Sequence, residues 1–159
     1  MKNIEILYQS ENNQIISYLK LRKFIGIIGI FLPIILPLVL IIFKNEDFIQ
    51  DSISDYYGTE ARDYFVGFMF ALGLFLLTYK GYKFGNDNLF ANLGAVFALG
   101  VALFPTTSEY LSIRIIHLSS AGLLFAVFAY FCLVIFKRTK PGGKPTDMKK
   151  TRNKFYTIC

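Results

Sequence analysis

The chain has 159 residues, 54% of them hydrophobic, with a mean hydropathy of +0.46. Only 18% are charged, against about 25% in an average soluble domain, and the charges are clustered between long uncharged runs. This argues against a disordered chain and against a soluble globular domain, and points to a small multi-pass membrane protein. Net charge is +6 at a pI near 9.3. The Lys and Arg flank the apolar runs, so no nucleic-acid partner is expected. The two cysteines, Cys132 and Cys159, have no metal or disulfide spacing. Neither a metal site nor a cofactor is expected.

About 20 helical residues cross the hydrocarbon of a bilayer. The first charge-free run covers residues 24–43, behind an N-terminal segment 1–23 with no signal-peptide cleavage pattern. Pro33 and Pro37 lie within it and predict a kink or a 3₁₀-like stretch near its middle. The second run, 64–79, reaches only about 24 Å at 1.5 Å per residue. The third is 89–105, interrupted by Asn92, which is expected to bond between helices. The fourth is 115–136 and includes His117. The expected fold is therefore an all-α polytopic bundle of four transmembrane helices over 24–136.

The connecting segments predict the orientation. With the N-terminus inside, the inner side carries 14 Lys and Arg and the outer side 3. The positive-inside rule then gives N-in/C-in topology in a cell membrane, multi-pass. Heavy use of Ile, Lys and Asn suggests an AT-rich prokaryote, hence a bacterial inner membrane. The outer loop 44–63 has Ile49, Ile53, Tyr56 and Tyr57 at helical spacing, which predicts a short amphipathic helix on the outer interface. The tail 137–159 is basic, with a Pro-Gly linker at 141–145, and is expected to attract anionic lipid. Its apolar last residues look like the lead-in to a further span. Small residues spaced by four (Gly94, Ala98 and Ala102; Gly67 and Ala71; Gly122 and Ala126) predict close packing between helices, or a homo-oligomer seam.

Chemistry-bearing residues gather at the outer side. Ser54 lies in the first outer loop, Asp63 at the start of span two, and His117 in the first turn of span four. A Ser, an Asp and a His at one depth are the ingredients of a hydrolytic or metal site. The plainer reading has Asp63 complementing a helix dipole and His117 donating to a carbonyl or to Asp63.

The stretches Ser52-Ile53-Ser54-Asp55-Tyr56-Tyr57, Arg62-Asp63-Tyr64-Phe65-Val66-Gly67, Tyr79-Lys80-Gly81-Tyr82 and Phe97–Pro105 add a resemblance. Over about residues 24–159 the chain resembles a family of bacterial multi-pass membrane proteins grouped as a domain of unknown function. That resemblance implies further spans beyond Cys159 and supplies no activity. The chain also loosely resembles the membrane hydrolases that include alkaline ceramidases and adiponectin-type receptors. Those place a Ser, a His four residues later, and an Asp further on. Ser54 and Asp63 match, but position 58 is Gly, so the zinc chemistry does not carry over. The favoured expectation is a non-enzymatic membrane scaffold or lipid- or partner-binding protein. The alternatives are a lipid-active hydrolase using Ser54, Asp63 and His117, and a small transporter subunit.

Overall fold

The computed structural model describes residues 26–27, 29–43, 47–79, 86–138 and 146–158. Every regular element among them is helical, and none is a strand. In chain order they are α1 (Gly29–Ile42), a 3₁₀ helix (Ile53–Gly58), α2 (Arg62–Thr78), α3 (Asp87–Leu103), α4 (Leu111–Tyr130) and α5 (Asp147–Ile158). A single π-turn, Phe131–Ile135, extends α4. The N-terminal segment 1–23 and the 141–145 linker lie outside the described residues.

The helices α2, α3 and α4 are apolar around nearly their whole circumference. Such helices are either buried in a large core or face lipid. In a chain this small many of their large side chains stay exposed, among them Leu74, Val96, Leu103, Leu118 and Phe125. Leu111–Ile135 is 25 residues of helix, long and apolar enough to cross a membrane. α1 and α3 are shorter apolar helices.

Four expectations change. First, helix continues unbroken through Pro33 and Pro37, with no 3₁₀ interruption. Leu32, Leu36, Val39 and Leu40 are buried against Tyr57, Phe65 and Val101, so tertiary packing holds α1 where the missing N–H groups weaken it. Second, α2 and α3 begin two residues, and α4 four residues, before the apolar runs, so that Arg62, Asp87 and Arg114 fall in their first turns. Arg62 and Arg114 are exposed, as long cationic side chains on an apolar stem allow, and the buried Asp87 is paired with Arg138. Third, Asn92 is exposed and makes no hydrogen bond among the described residues, since the buried face of α3 runs through Ala91, Gly94, Ala95 and Ala98. Fourth, the small residues divide. Gly94, Ala98 and Ala102 are buried between helices, whereas Gly67, Ala71, Gly122 and Ala126 are exposed.

α3 is the central helix, with α2 on one side and α4 on the other. Its small residues set the approach. A Cβ on Gly94 would meet Val127 Cγ1 at 3.1 Å and Leu76 Cδ1 at 3.2 Å, side chains from both neighbours at once. Gly94→Val is therefore expected to destabilise the fold by about 1–3 kcal/mol through overpacking. A denaturant titration of purified protein would read this, and an unchanged midpoint would mean the helices can part at no cost.

The chain runs back and forth, so two ends of the bundle collect polar groups. At one end, Tyr57 before α2 meets Ala102 at the close of α3. At the other, the start of α3 meets the end of α4. There Asp87 is 1% exposed and its Oδ1 accepts from Arg138 Nη1 at 2.6 Å. Arg138 Nη2 also points at the Tyr130 hydroxyl at 3.4 Å, and the Tyr130 ring packs on Phe90 with centroids 4.1 Å apart. The tail folds as α5 and docks there, Tyr156 against Phe136.

Candidate functional site at the His117 end

The short helix expected in the loop 44–63 is a 3₁₀ helix, Ile53–Gly58. Tyr56 and Tyr57 are buried, while Ile49 and Ile53 are exposed. The helix packs its two Tyr rings inward as a plug, and both hydroxyls find carbonyls, one in the same loop and one at the end of α3. Tyr56 donates to Phe48 O at 3.0 Å and Tyr57 to Ala102 O at 3.1 Å. Gly58 lets the plug approach the α3–α4 turn. A Cβ there would stand 2.8 Å from Thr107 Cγ2.

The turn follows from Pro105. A residue before proline is held out of the helical region, and Phe104 is extended at φ −107°, ψ 112°. α3 must stop, leaving its last carbonyls without intrahelical donors. Two side chains from other elements supply them. Tyr57 reaches Ala102 O, and His117 of α4 reaches Phe104 O, with Nδ1 at 2.6 Å. Buried carbonyls in low dielectric need such partners.

His117 is completely buried. A carbonyl can only accept, so Nδ1 carries the proton in this contact. In the tautomer with that proton alone, Nε2 is an acceptor. Nε2 stands 3.0 Å from Ser54 Oγ, and in that tautomer the Ser54 hydroxyl donates to it. Ser54 is fixed in turn by Thr106, whose hydroxyl donates to Ser54 O at 3.1 Å. Ser52 Oγ donates to Asp55 Oδ2 at 2.8 Å at the head of the plug.

The structure thus brings together two of the three candidate residues, Ser54 and His117. It leaves Asp63 apart. Asp63 is exposed in the first turn of α2 and has no hydrogen bond or ion pair among the described residues. That position suits the positive end of the helix dipole. Arg62 does not pair with it either, and lies over the Tyr57 ring at 5.0 Å. The third member of the cluster is the Phe104 carbonyl. Backbone acceptors carry no residue signature, and only the Phe104-Pro105 helix end hinted at one. Among the described residues no group of three or more His, Cys, Asp or Glu converges.

Chemically, the arrangement is a hydroxyl, a neutral imidazole and an orienting acceptor in line. It matches the nucleophile–base–orienter order of acyl-transfer sites. It is equally a closed chain of satisfied hydrogen bonds that ties plug, turn and α4 together. The nearby cleft of about 410 Å³ is lined by Tyr57, Gly58, Thr59, Arg62, Pro105 and Thr107, and not by Ser54 or His117. Tyr57→Phe would remove one of these ties and is expected to cost about 1 kcal/mol, read as a small fall in thermal midpoint. No change would mean that water replaces the hydroxyl.

Comparison with protein-family models, with curated proteins and with solved structures returns no match for this chain. The molecule is defined by its fold and its polar ends: among the described residues its regular elements are all helical, and one helix is long and apolar enough to span a membrane.

Proposed function

We propose that this is a four-span inner-membrane protein with both ends cytoplasmic, acting as a non-enzymatic scaffold that binds lipid or a partner. The observation that carries this reading is the distribution of exposed side chains. Large apolar residues face outward along α1 to α4, while Arg62, Asp63 and Arg114 collect at one end and Asp87 and Arg138 at the other. In water such faces promote aggregation, whereas in lipid they are the expected exterior. The 14-to-3 distribution of Lys and Arg supports the orientation. The self-contained hydrogen bonds of the His117 end support a structural role for that cluster, and the adjoining cleft avoids it.

The test is cysteine labelling in intact cells, with the native cysteines replaced by serine. Glu60→Cys is expected to react with a membrane-impermeant maleimide from outside. Lys154→Cys is expected to react only after permeabilisation. Labelling of Lys154→Cys in intact cells would overturn the topology.

A second reading is favoured by one observation, the 3.0 Å contact between Ser54 Oγ and His117 Nε2. It makes the outer end a serine-dependent hydrolase acting on lipid esters, with Ser54 as nucleophile and His117 as base. A fluorophosphonate probe would then label the wild type at Ser54 and fail to label Ser54→Ala. Absence of labelling in folded wild-type protein would dismiss this reading.

A further inference from the structure

The end of the bundle opposite His117 holds two cavities that share a wall. One, about 210 Å³, is lined by Arg138, Lys149, Arg152 and Asn153. The other, about 200 Å³, is lined by Leu72, Phe75, Phe128 and Cys132 among other apolar and aromatic side chains. Tyr79 and Phe136 border both. A polar chamber and an apolar chamber are therefore separated by two aromatic side chains. This is the shape of an amphiphile with an ionic head and a hydrocarbon tail.

The polar chamber carries net positive charge. Three cations line it, and no Asp or Glu does. Asp87 behind the wall offsets Arg138. Lys149 Nζ donates to the Arg138 carbonyl, a neutral acceptor that leaves its charge uncompensated. Arg152 is exposed and has no acceptor among the described residues. Two positive charges thus remain for an anion. Guanidinium groups with an ammonium are suited to phosphate oxygens. Asn153 adds a second requirement, because its Oδ1 is buried without a hydrogen-bond partner among the described residues. An orphaned acceptor is costly and calls for a donor. A phosphate has no donor to give when ionised, but a headgroup hydroxyl beside it does.

We propose that this pair of cavities binds one anionic phospholipid whose headgroup carries hydroxyls. The phosphate lies among Lys149, Arg152 and Arg138, a headgroup hydroxyl donates to Asn153 Oδ1, and an acyl chain runs past Tyr79 and Phe136 into the apolar chamber. The inference rests on the membrane reading and deepens it: α5 becomes the clamp that holds a cytoplasmic-leaflet lipid against α4. A bilayer's anionic surface attracts basic tails in any case. The structure adds a defined chamber, an orphaned acceptor and a place for the chain.

The test uses the full-length protein in mild detergent, exchanged into mixed phosphatidylglycerol and phosphatidylcholine and followed by native mass spectrometry. The wild type is expected to retain phosphatidylglycerol at least about tenfold over phosphatidylcholine, with one lipid per chain. Arg152→Gln, at an exposed position, is expected to lower that preference about fivefold. Cys132→Phe, which fills the apolar chamber, is expected to reduce retention of the lipid while leaving glycerol phosphate binding unaffected. Equal retention of both lipids would overturn the headgroup assignment and leave the membrane reading standing. Failure to retain any phospholipid would overturn both. Displacement of phosphatidylglycerol by millimolar glycerol phosphate, together with full retention in Cys132→Phe, would make the ligand a soluble phosphate and overturn the lipid.

Discussion

Replacing His117 with alanine is expected to lower folding stability by about 3 kcal/mol. Two effects add. The ring is fully buried, and its loss opens a cavity of the kind that costs about 2–5 kcal/mol when a leucine is truncated. Phe104 O also loses its donor, and an unsatisfied buried carbonyl costs about 1–3 kcal/mol. The sum is discounted because, in the membrane setting proposed above, hydrogen bonds average only about 0.6 kcal/mol in double-mutant cycles. Unfolding in a denaturing-detergent titration measures the loss. The same titration on Ser54→Ala separates the two contacts of the ring. That change leaves Nε2 without its donor but keeps the packing, so about 1 kcal/mol is expected. If His117→Ala unfolds no more readily than Ser54→Ala, the ring does not hold the α3–α4 turn.

The second large effect belongs to Asp87. It is 1% exposed and sits on Arg138, whose side chain is 32% exposed. Removing one partner of a buried ion pair costs roughly 3–5 kcal/mol, because the other charge is left behind. Arg138 keeps some access to water, so Asp87→Ala is expected at the low end, about 3 kcal/mol. Replacing both, as Asp87→Leu with Arg138→Met, is expected to recover much of the loss, since well-packed apolar pairs often match buried ion pairs. The comparison is decisive on one point. A double variant no better than Asp87→Ala would mean that Asp87 acts mainly through its other contacts in the chain.

The helices were legible because an uncharged run of this length in so short a chain has few other uses. Their ends were less so. Arg62, Asp87 and Arg114 interrupt the uncharged runs, yet a helix accepts a charge in its terminal turn when the side chain reaches water, as Arg62 and Arg114 do, or is paired, as the buried Asp87 is with Arg138. At the candidate site, Ser54 and His117 are recognisable from residue type alone. Asp63 is misleading for a reason of phase. The inward face of α2 begins with Ala61 and Phe65, four apart, and a residue midway between them points away. Asn92 fails the same way, one position beyond buried Ala91. The roles of Tyr57 and the Phe104 carbonyl are not visible in the sequence, because they depend on which carbonyls α3 leaves open when Pro105 ends it. The inward packing of Tyr56 and Tyr57 was hidden too, because it depends on the carbonyls that take up their hydroxyls, Phe48 O in the same loop and Ala102 O at the end of α3.

The π-turn after α4 has a consequence for insertions and deletions. Phe136 N donates to Phe131 O at 2.8 Å, five residues back, so the turn holds one residue more than an α-turn. Arg138 follows Tyr130 by eight positions. Eight α-helical steps of about 100° would leave it roughly 80° around the axis, whereas seven bring it to within about 20° of Tyr130. The extra residue absorbed between them is what returns Arg138 to the face carrying Tyr130, toward Asp87 of α3. Substitution among residues 131–135 keeps that phase. Deleting any one of them closes the turn to α geometry and leaves seven α steps, which keep Arg138 within about 20° of Tyr130, whereas inserting one more residue turns it roughly 80° away from that face, so this segment tolerates shortening by one residue better than lengthening.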